Sequence, residues 1–287
     1  MLARAAQATG DRREWPALPR RRPPRFVPAL LAIRAPIPAP ARWLLVAGSV
    51  LVPFGGWWAL SVSGLVEPAH YLPSPPEVLS AGLEMARSGQ LFTDAWATVR
   101  RVLLGYGLAI AVSVPVGIAI GSLRAAQAAL EPMVALLRYL PAAAFIPLLV
   151  IWLGIGEGSK VALLFMGTLF FNTVMTADVV RRVPADLLDV SYTLGARRGE
   201  VLRKVVIPHA LPGMIDSIRV NAAAAWNLVV VAELIAATAG LGYRIARSQR
   251  VTQIDQIFAV LVVIALIGLT IDIALRLTRD RVGRWTS

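Results

Sequence analysis

The stretch from Asp186 to Pro212 gathers acids, bases and hydroxyls in a pattern suited to docking rather than to bond-making. Arg197, Arg198, Arg203 and Lys204 stand near Asp186, Asp189 and Glu200, a set able to form charge-assisted pairs with another protein or to hold the segment on the basic side of a membrane. Leu187, Ser191 and Leu194 recur at helical spacing, and Gly195 offers the left-handed residue that ends a helix. Glu200 to Ile207 suits a second short helix that Pro208 stops. Covalent chemistry has no comparable constellation. There is no Ser-His-Asp set and no His-Glu-x-x-His element, and His70 and His209 share no ligand spacing, so no metal site is expected. Lys160 and Lys204 follow Ser159 and Arg203, which leaves no Gly-Lys-Ser/Thr phosphate loop. The chain is therefore not expected to be an enzyme or to hydrolyse ATP itself. The absence of cysteine removes disulfides and thiolate metal sites.

A second set of polar groups sits inside or beside long apolar runs. Glu233 is the single charge between Val220 and Tyr243, and an unpaired charge at the bilayer centre costs about 2.5 to 3.5 kcal/mol, so it must be paired or wet. It reads either as a gate or path-lining group, or as half of a structural pair. Asn221, Trp226 and Asn227 precede it, and Asn172 stands beside Phe170 and Phe171; each suits a solute path or hydrogen bonding between helices. Arg138 at the start of the third run attracts a departing anion or snorkels to headgroups, and Phe145 lies further along the same run. Arg244, Arg247 and Arg250 form a basic patch at three-residue spacing that docks a partner, steers an anion or touches lipid phosphates.

The elements that position these residues are helices in lipid. Hydrophobic residues make up 57% of 287 and charged residues 16%, more apolar surface than one soluble core hides. Uncharged stretches run from Trp43 to Val66, Val102 to Leu123, Tyr139 to Gly156, Val161 to Ala177 and Gln256 to Ile271. With the Glu233 run they predict six transmembrane helices in an all-α chain, and period-two alternation, the mark of a barrel, is missing. Gly105, Gly107, Gly117 and Gly121 lie in the second run, and the last two form a small-xxx-small pair. Pro115, Pro141 and Pro147 are each expected to free a carbonyl inside a span.

Orientation follows from charge. The net charge of +12 is clustered between apolar runs, a pattern of membrane-flanking segments rather than of nucleic-acid binding. With the N-terminus inside, 20 of 29 lysines and arginines fall on the cytoplasmic side, which predicts both termini there. The arginine- and proline-rich residues 1–42 are expected to be a disordered tail, 43–66 the first span, and 67–101 an external segment with an amphipathic helix. Residues 102–278 form the expected core, including the loop 181–213, and 279–287 a cytoplasmic tail.

The loop resembles the coupling loop of ABC importer permease subunits, whose pattern is Glu-Ala-Ala, three residues, Gly, nine residues, Ile, any residue, Leu-Pro. Asp189-Val190-Ser191 stands for the first triplet, Gly195 for the glycine, Val205 for the isoleucine and Ile207-Pro208 for the last pair, with Val190 bulkier than the pattern's alanine. Leu72 to Leu79, Trp152 to Gly156, Ala232-Glu233, Gly240 to Tyr243 and the stretch from Ile267 to Trp285 look like the nitrate, sulfonate and taurine branch. The resemblance covers about residues 43 to 285. It implies a type I (MetI-like) importer fold with a cytoplasmic helix-turn-helix coupling loop, and an inner-membrane location. It implies coupling to an ATPase through Asp189, Val190, Ser191, Gly195, Ala196, Arg197, Arg203, Ile207 and Pro208. It further implies partner ATPase subunits that carry ATP and Mg, a second permease copy in a homodimer, and a solute-binding protein, with no cofactor on this chain. The substrate class so implied is a small oxyanion or organic sulfonate, with bicarbonate, thiamine-precursor pyrimidines and organic acids as alternatives. A secondary transporter shares the spans but has no use for the loop's spacing.

Overall fold

A ladder of small residues organises the bundle. On α3 (Gln90–Ser122), Gly105, Ala109, Ser113, Gly117 and Gly121 recur every fourth position and form one ridge. On α6 (Glu157–Arg181) the matching row is Leu164, Thr168, Asn172, Thr176 and Val180. Backbones approach so closely that a Cβ on Gly105, Gly117 or Gly121 would sit 2.6–2.9 Å from atoms of α6. The expected Gly117 and Gly121 pair is thus the end of a five-residue stripe, and Gly107 faces away from it with no atom nearby.

The register gives the topology. Gly105 meets Leu164, Gly117 meets Thr176 and Gly121 meets Val180, so α3 and α6 run parallel. The chain between them must therefore cross back. It does so through α4 (Arg124–Leu137), a break at Arg138 to Pro141, a 3-10 turn (Ala142–Phe145) and α5 (Ile146–Leu153), with a bend of 79°. The third span differs here from the single run expected over Tyr139 to Gly156. It begins fourteen residues before Arg138, on a stretch whose Arg124 and Glu131 obscured it. Pro141 caps the 3-10 turn and Pro147 lies in the first turn of α5, where no N–H is required, so neither interrupts a helix. Pro115 does lie inside α3.

The computed structural model describes residues 37–65 and 71–283. The expected tail therefore lies mostly outside the described residues, as do Val66, His70 and Arg284 to Ser287. The chain divides into two units, 1–56 and 57–287. The first holds most of α1 (Ala39–Val62), a helix without a buried residue whose Trp43, Leu44 and Val50 are exposed, as a lipid-facing surface would be.

In the second unit, α2 (Pro75–Arg87) begins at Ser74, whose backbone N–H donates to Glu77 Oε2 at 2.7 Å. Within the segment expected outside, residues 75–101 contribute α2 and then the first turns of α3. Then follow α7 (Ala185–Thr193), α8 (Arg198–Val201), a π-helical turn (Leu202–Val206), α9 (Ile207–Ala236), α10 (Leu241–Arg250) and α11 (Ile254–Val282). Among the described residues five helices are long and apolar enough to span a bilayer, and the bent pair taken as one span makes six. Tyr106, Leu164, Ala225, Trp226 and Val229 fill the core where α3, α6 and α9 meet.

Pro208 does not stop a short helix. The π turn widens the ladder just before it, so the missing N–H and the ring are accommodated and α8 runs on into α9. The expected second short helix is the start of the fifth span.

Candidate functional site

At one end of the bundle, α7 leaves α6 through Pro184 and stops at Gly195, whose φ is +83°. The stop is a Schellman motif. The Ala196 N–H donates to Ser191 O at 3.0 Å and the Gly195 N–H to Tyr192 O at 2.9 Å, an arrangement a β-branched residue at Gly195 would strain. The next helix is capped when the Arg197 N–H donates to Glu200 Oε2 at 3.0 Å.

The residues of the expected coupling loop point two ways. Ala196, Val205 and Ile207 pack inward with Leu188 against Val180, Val206 and Met214, while Asp189, Arg197 and Arg203 face outward. Val190 is 57% and Leu194 81% exposed, an unusual apolar tip for an otherwise charged loop. Ser191 donates to Leu187 O at 2.6 Å, and Pro208 lies within the helical turn described above.

Midway along the bundle a cleft of about 420 Å³ opens where the broken third span leaves α6 and α9 uncovered. Arg138 and Tyr139 form one wall, Phe170 and Phe171 a second, and Asn221, Ala224 and Asn227 a third at one-turn spacing. Arg138 is held by its neighbour: Nη2 donates to Tyr139 Oη at 3.1 Å and the guanidinium carbon lies 5.0 Å from the ring centroid. Among the described residues it meets no carboxylate. Behind the third wall, the fully buried Asn172 donates through Nδ2 to Ser113 Oγ at 2.7 Å. Its Oδ1 accepts from Asn221 Nδ2 at 3.2 Å.

Three of the expected path residues stand elsewhere. Phe145 packs with Ile146 and Leu163, and Trp226 is buried in the α3, α6 and α9 core, its Nε1–H meeting no acceptor among the described residues. Glu233, 1% exposed, is locked into an ion cluster at the end of the bundle away from Gly195. Arg101 Nη1 donates to it, both Oε atoms lie 2.9 Å from Thr98 Oγ1, and the Gly242 N–H donates at 2.8 Å. Arg101 also grips Glu157 with two bonds of 2.7 Å.

Arg244 belongs to this end as well. It is buried, with Nε 2.7 Å from Asp94 Oδ2 and Nη1 2.7 Å from Gln90 Oε1, so it is not free to meet a docking partner. Arg247 and Arg250 are exposed. The sequence reading missed Asp94, Thr98, Arg101 and Glu157 as partners. Their signal was the lone charge Glu233 and its need for a cation on a neighbouring span. Among the described residues no group of three His, Asp or Glu stands close enough to hold a metal.

Among the described residues, up to six apolar helices of spanning length, a cleft at the broken span and an exposed helical loop at one end mark a multi-pass membrane protein. Residues 113–286 match the family model for the binding-protein-dependent transport system inner membrane component, more than half of the chain. Over 237 residues the chain is 36% identical to a probable ABC transporter permease protein of Brucella melitensis, covering 83% of this chain and 95% of that protein. It is 35% identical over 248 residues to the taurine transport system permease protein TauC of Escherichia coli K12, covering 84% and 89%. Among solved structures, the inward-facing MetNI methionine ABC transporter shares the fold, with a TM-score of 0.60 at 21% identity over 69% of this chain and 98% of that one. The chain belongs to the family of binding-protein-dependent inner-membrane transport components, and is the permease component of an ABC importer.

Proposed function

We propose that this permease carries a small anionic solute of the sulfonate and taurine class, released to it by a solute-binding protein, and that ATP with Mg is hydrolysed on separate subunits docked at the Gly195 loop. The observation that carries the reading is continuity. The exposed loop runs through the π turn into α9, and α9 bears the cleft residues Asn221 and Asn227 on the same rod. A push on Val190 and Leu194 passes through the packed contact of Leu188 and Ala196 with Val180, Val206 and Met214, and from there along α9 to the cleft.

The rest of the reading follows from charge and geometry. Arg138, without a carboxylate partner among the described residues, offers an anion its counter-charge in the cleft. The cleft is open on one side, and a second copy of the chain in a homodimer closes the path. The Gly195 loop and both termini face the cytoplasm, which places the Glu233 end outside and leaves Arg247 and Arg250 for the binding protein. The relatedness to a taurine permease supports the substrate class.

The test is reconstitution of the whole complex with its binding protein in proteoliposomes, offering taurine, alkanesulfonates, nitrate, bicarbonate or a pyrimidine in turn. Sulfonates or taurine are expected to stimulate ATP hydrolysis. Stimulation by the pyrimidine alone would remove the anionic class and leave the importer.

A further inference from the structure

The cleft's amide wall is not free to rotate. Asn221 Nδ2 stands 3.2 Å from Asn172 Oδ1 and 3.2 Å from the Met175 thioether. A thioether accepts and never donates, so the atom beside Met175 is the NH2 group. Asn172 is fixed in turn by Asn221: it meets that NH2 group with its oxygen, which turns its own Nδ2 to Ser113 Oγ at 2.7 Å, a hydroxyl able to accept. Both donors of this pair point back into the bundle. Asn221 Oδ1 accepts no hydrogen bond among the described residues, and Asn221 lines the cleft.

We infer that the buried relay Ser113, Asn172, Asn221 aims a hydrogen-bond acceptor into the cleft, and that the permease thereby favours a solute with an anionic group for Arg138 and a donor, such as an ammonium, for Asn221. The inference rests on the reading of the cleft as the solute path. The lining supports it by what it contains: one cation, two amides, aromatic faces and no carboxylate. An ammonium gains an amide oxygen and the Phe170 and Phe171 faces there, while a methyl group in its place leaves the acceptor unpaired. Asn172 and Ser113 touch no solute and act as positioning residues.

Taurine and propane-1-sulfonate form the discriminating pair, because they differ only by ammonium against methyl on the same chain. Uptake into proteoliposomes is measured for each at concentrations that saturate the binding protein, with the complete complex. The wild type should carry taurine about fivefold faster, the worth of one hydrogen bond. Asn172→Leu should bring the ratio close to one, and Ser113→Ala, a milder change that preserves packing, should lower it partway. Both ratios are taken per assembled complex, so a merely unstable variant loses both rates and keeps the ratio. A ratio unmoved by either variant overturns the inference. Arg138→Gln separates it from the path reading, since there both sulfonates should slow together; if Arg138→Gln leaves both rates intact, the path reading fails and the inference with it.

Discussion

At the Glu233 end, Arg101, Glu157, Glu233, Asp94 and Arg244 satisfy one another within a single chain, and the glycines at 240 and 242 let backbone N–H groups join them. At the Gly195 end the pattern is inverted. Asp189, Arg198 and Arg203 face outward without an ion partner among the described residues, beside the exposed Val190 and Leu194. Both ends are rich in charge, yet one uses it to brace four helices and the other presents it. The difference separates a rigid floor from a surface that awaits something, and a single net-charge figure hides it.

The largest effect should come from the braced end. Arg101→Met leaves the wholly buried Glu233 without a cation and Glu157 with only Lys160 at 3.3 Å, and should cost about 3–5 kcal/mol, seen as a large fall in melting temperature in detergent. Adding Glu233→Met to that variant should recover much of the loss, because the uncompensated charge disappears with it. If the single variant melts like the wild type, the cluster is not a brace.

The α3 and α6 contact that joins the two ends gives the next effect. Gly117→Ala puts a Cβ 2.6 Å from Thr176 Cβ and 2.7 Å from Thr173 O and should destabilise by about 1–3 kcal/mol. Gly107→Ala, on the same helix with open space around it, should stabilise by about 0.5–1 kcal/mol. Opposite signs in one thermal series are the expected outcome; equal signs would contradict the parallel ridge packing.

At the presented end, Gly195→Val forces a β-branched residue to φ +83° and should cost about 1–2 kcal/mol locally. Bundle melting should move little while copurification with the ATPase is lost. Smallest is Glu77, whose carboxyl is held below its ordinary range by the backbone and side chain of Ser74. Because its folded pKa is depressed, its contribution is present above the ordinary carboxylate range and disappears as pH falls through the lowered value. Glu77→Gln should therefore lower the melting temperature slightly at neutral pH, solvent screening keeping the effect small, and not at all in strong acid, measured as melting temperature against pH.

Most of the fold was legible because lipid imposes long uncharged runs, and the loop was legible because a Schellman stop needs its glycine at a fixed place. The third span was not, since Arg124 and Glu131 interrupt its hydropathy and the break at Arg138 displaces the apolar run from the helix that begins it. Charge partners were hidden for a different reason. Arg101 lies 132 residues from Glu233, and nothing local in either marks the pairing. The same distance effect misled the basic patch, where Arg244 pairs with Asp94 across 150 residues while Arg247, one turn on, stays exposed. For the path residues, Asn221 and Asn227 share the cleft, but Trp226 between them turns inward, as adjacent helical positions do.

The central claim is that the motor grips the Gly195 loop, and the chain's lack of cysteine makes it directly testable. Val190→Cys and Arg247→Cys, one from each end, are compared by thiol cross-linking in membranes that contain the assembled complex. The account predicts a cross-link from position 190 to the ATPase and none from position 247. A cross-link to the ATPase from 247, with 190 labelled by an impermeant reagent added outside intact cells, would contradict it.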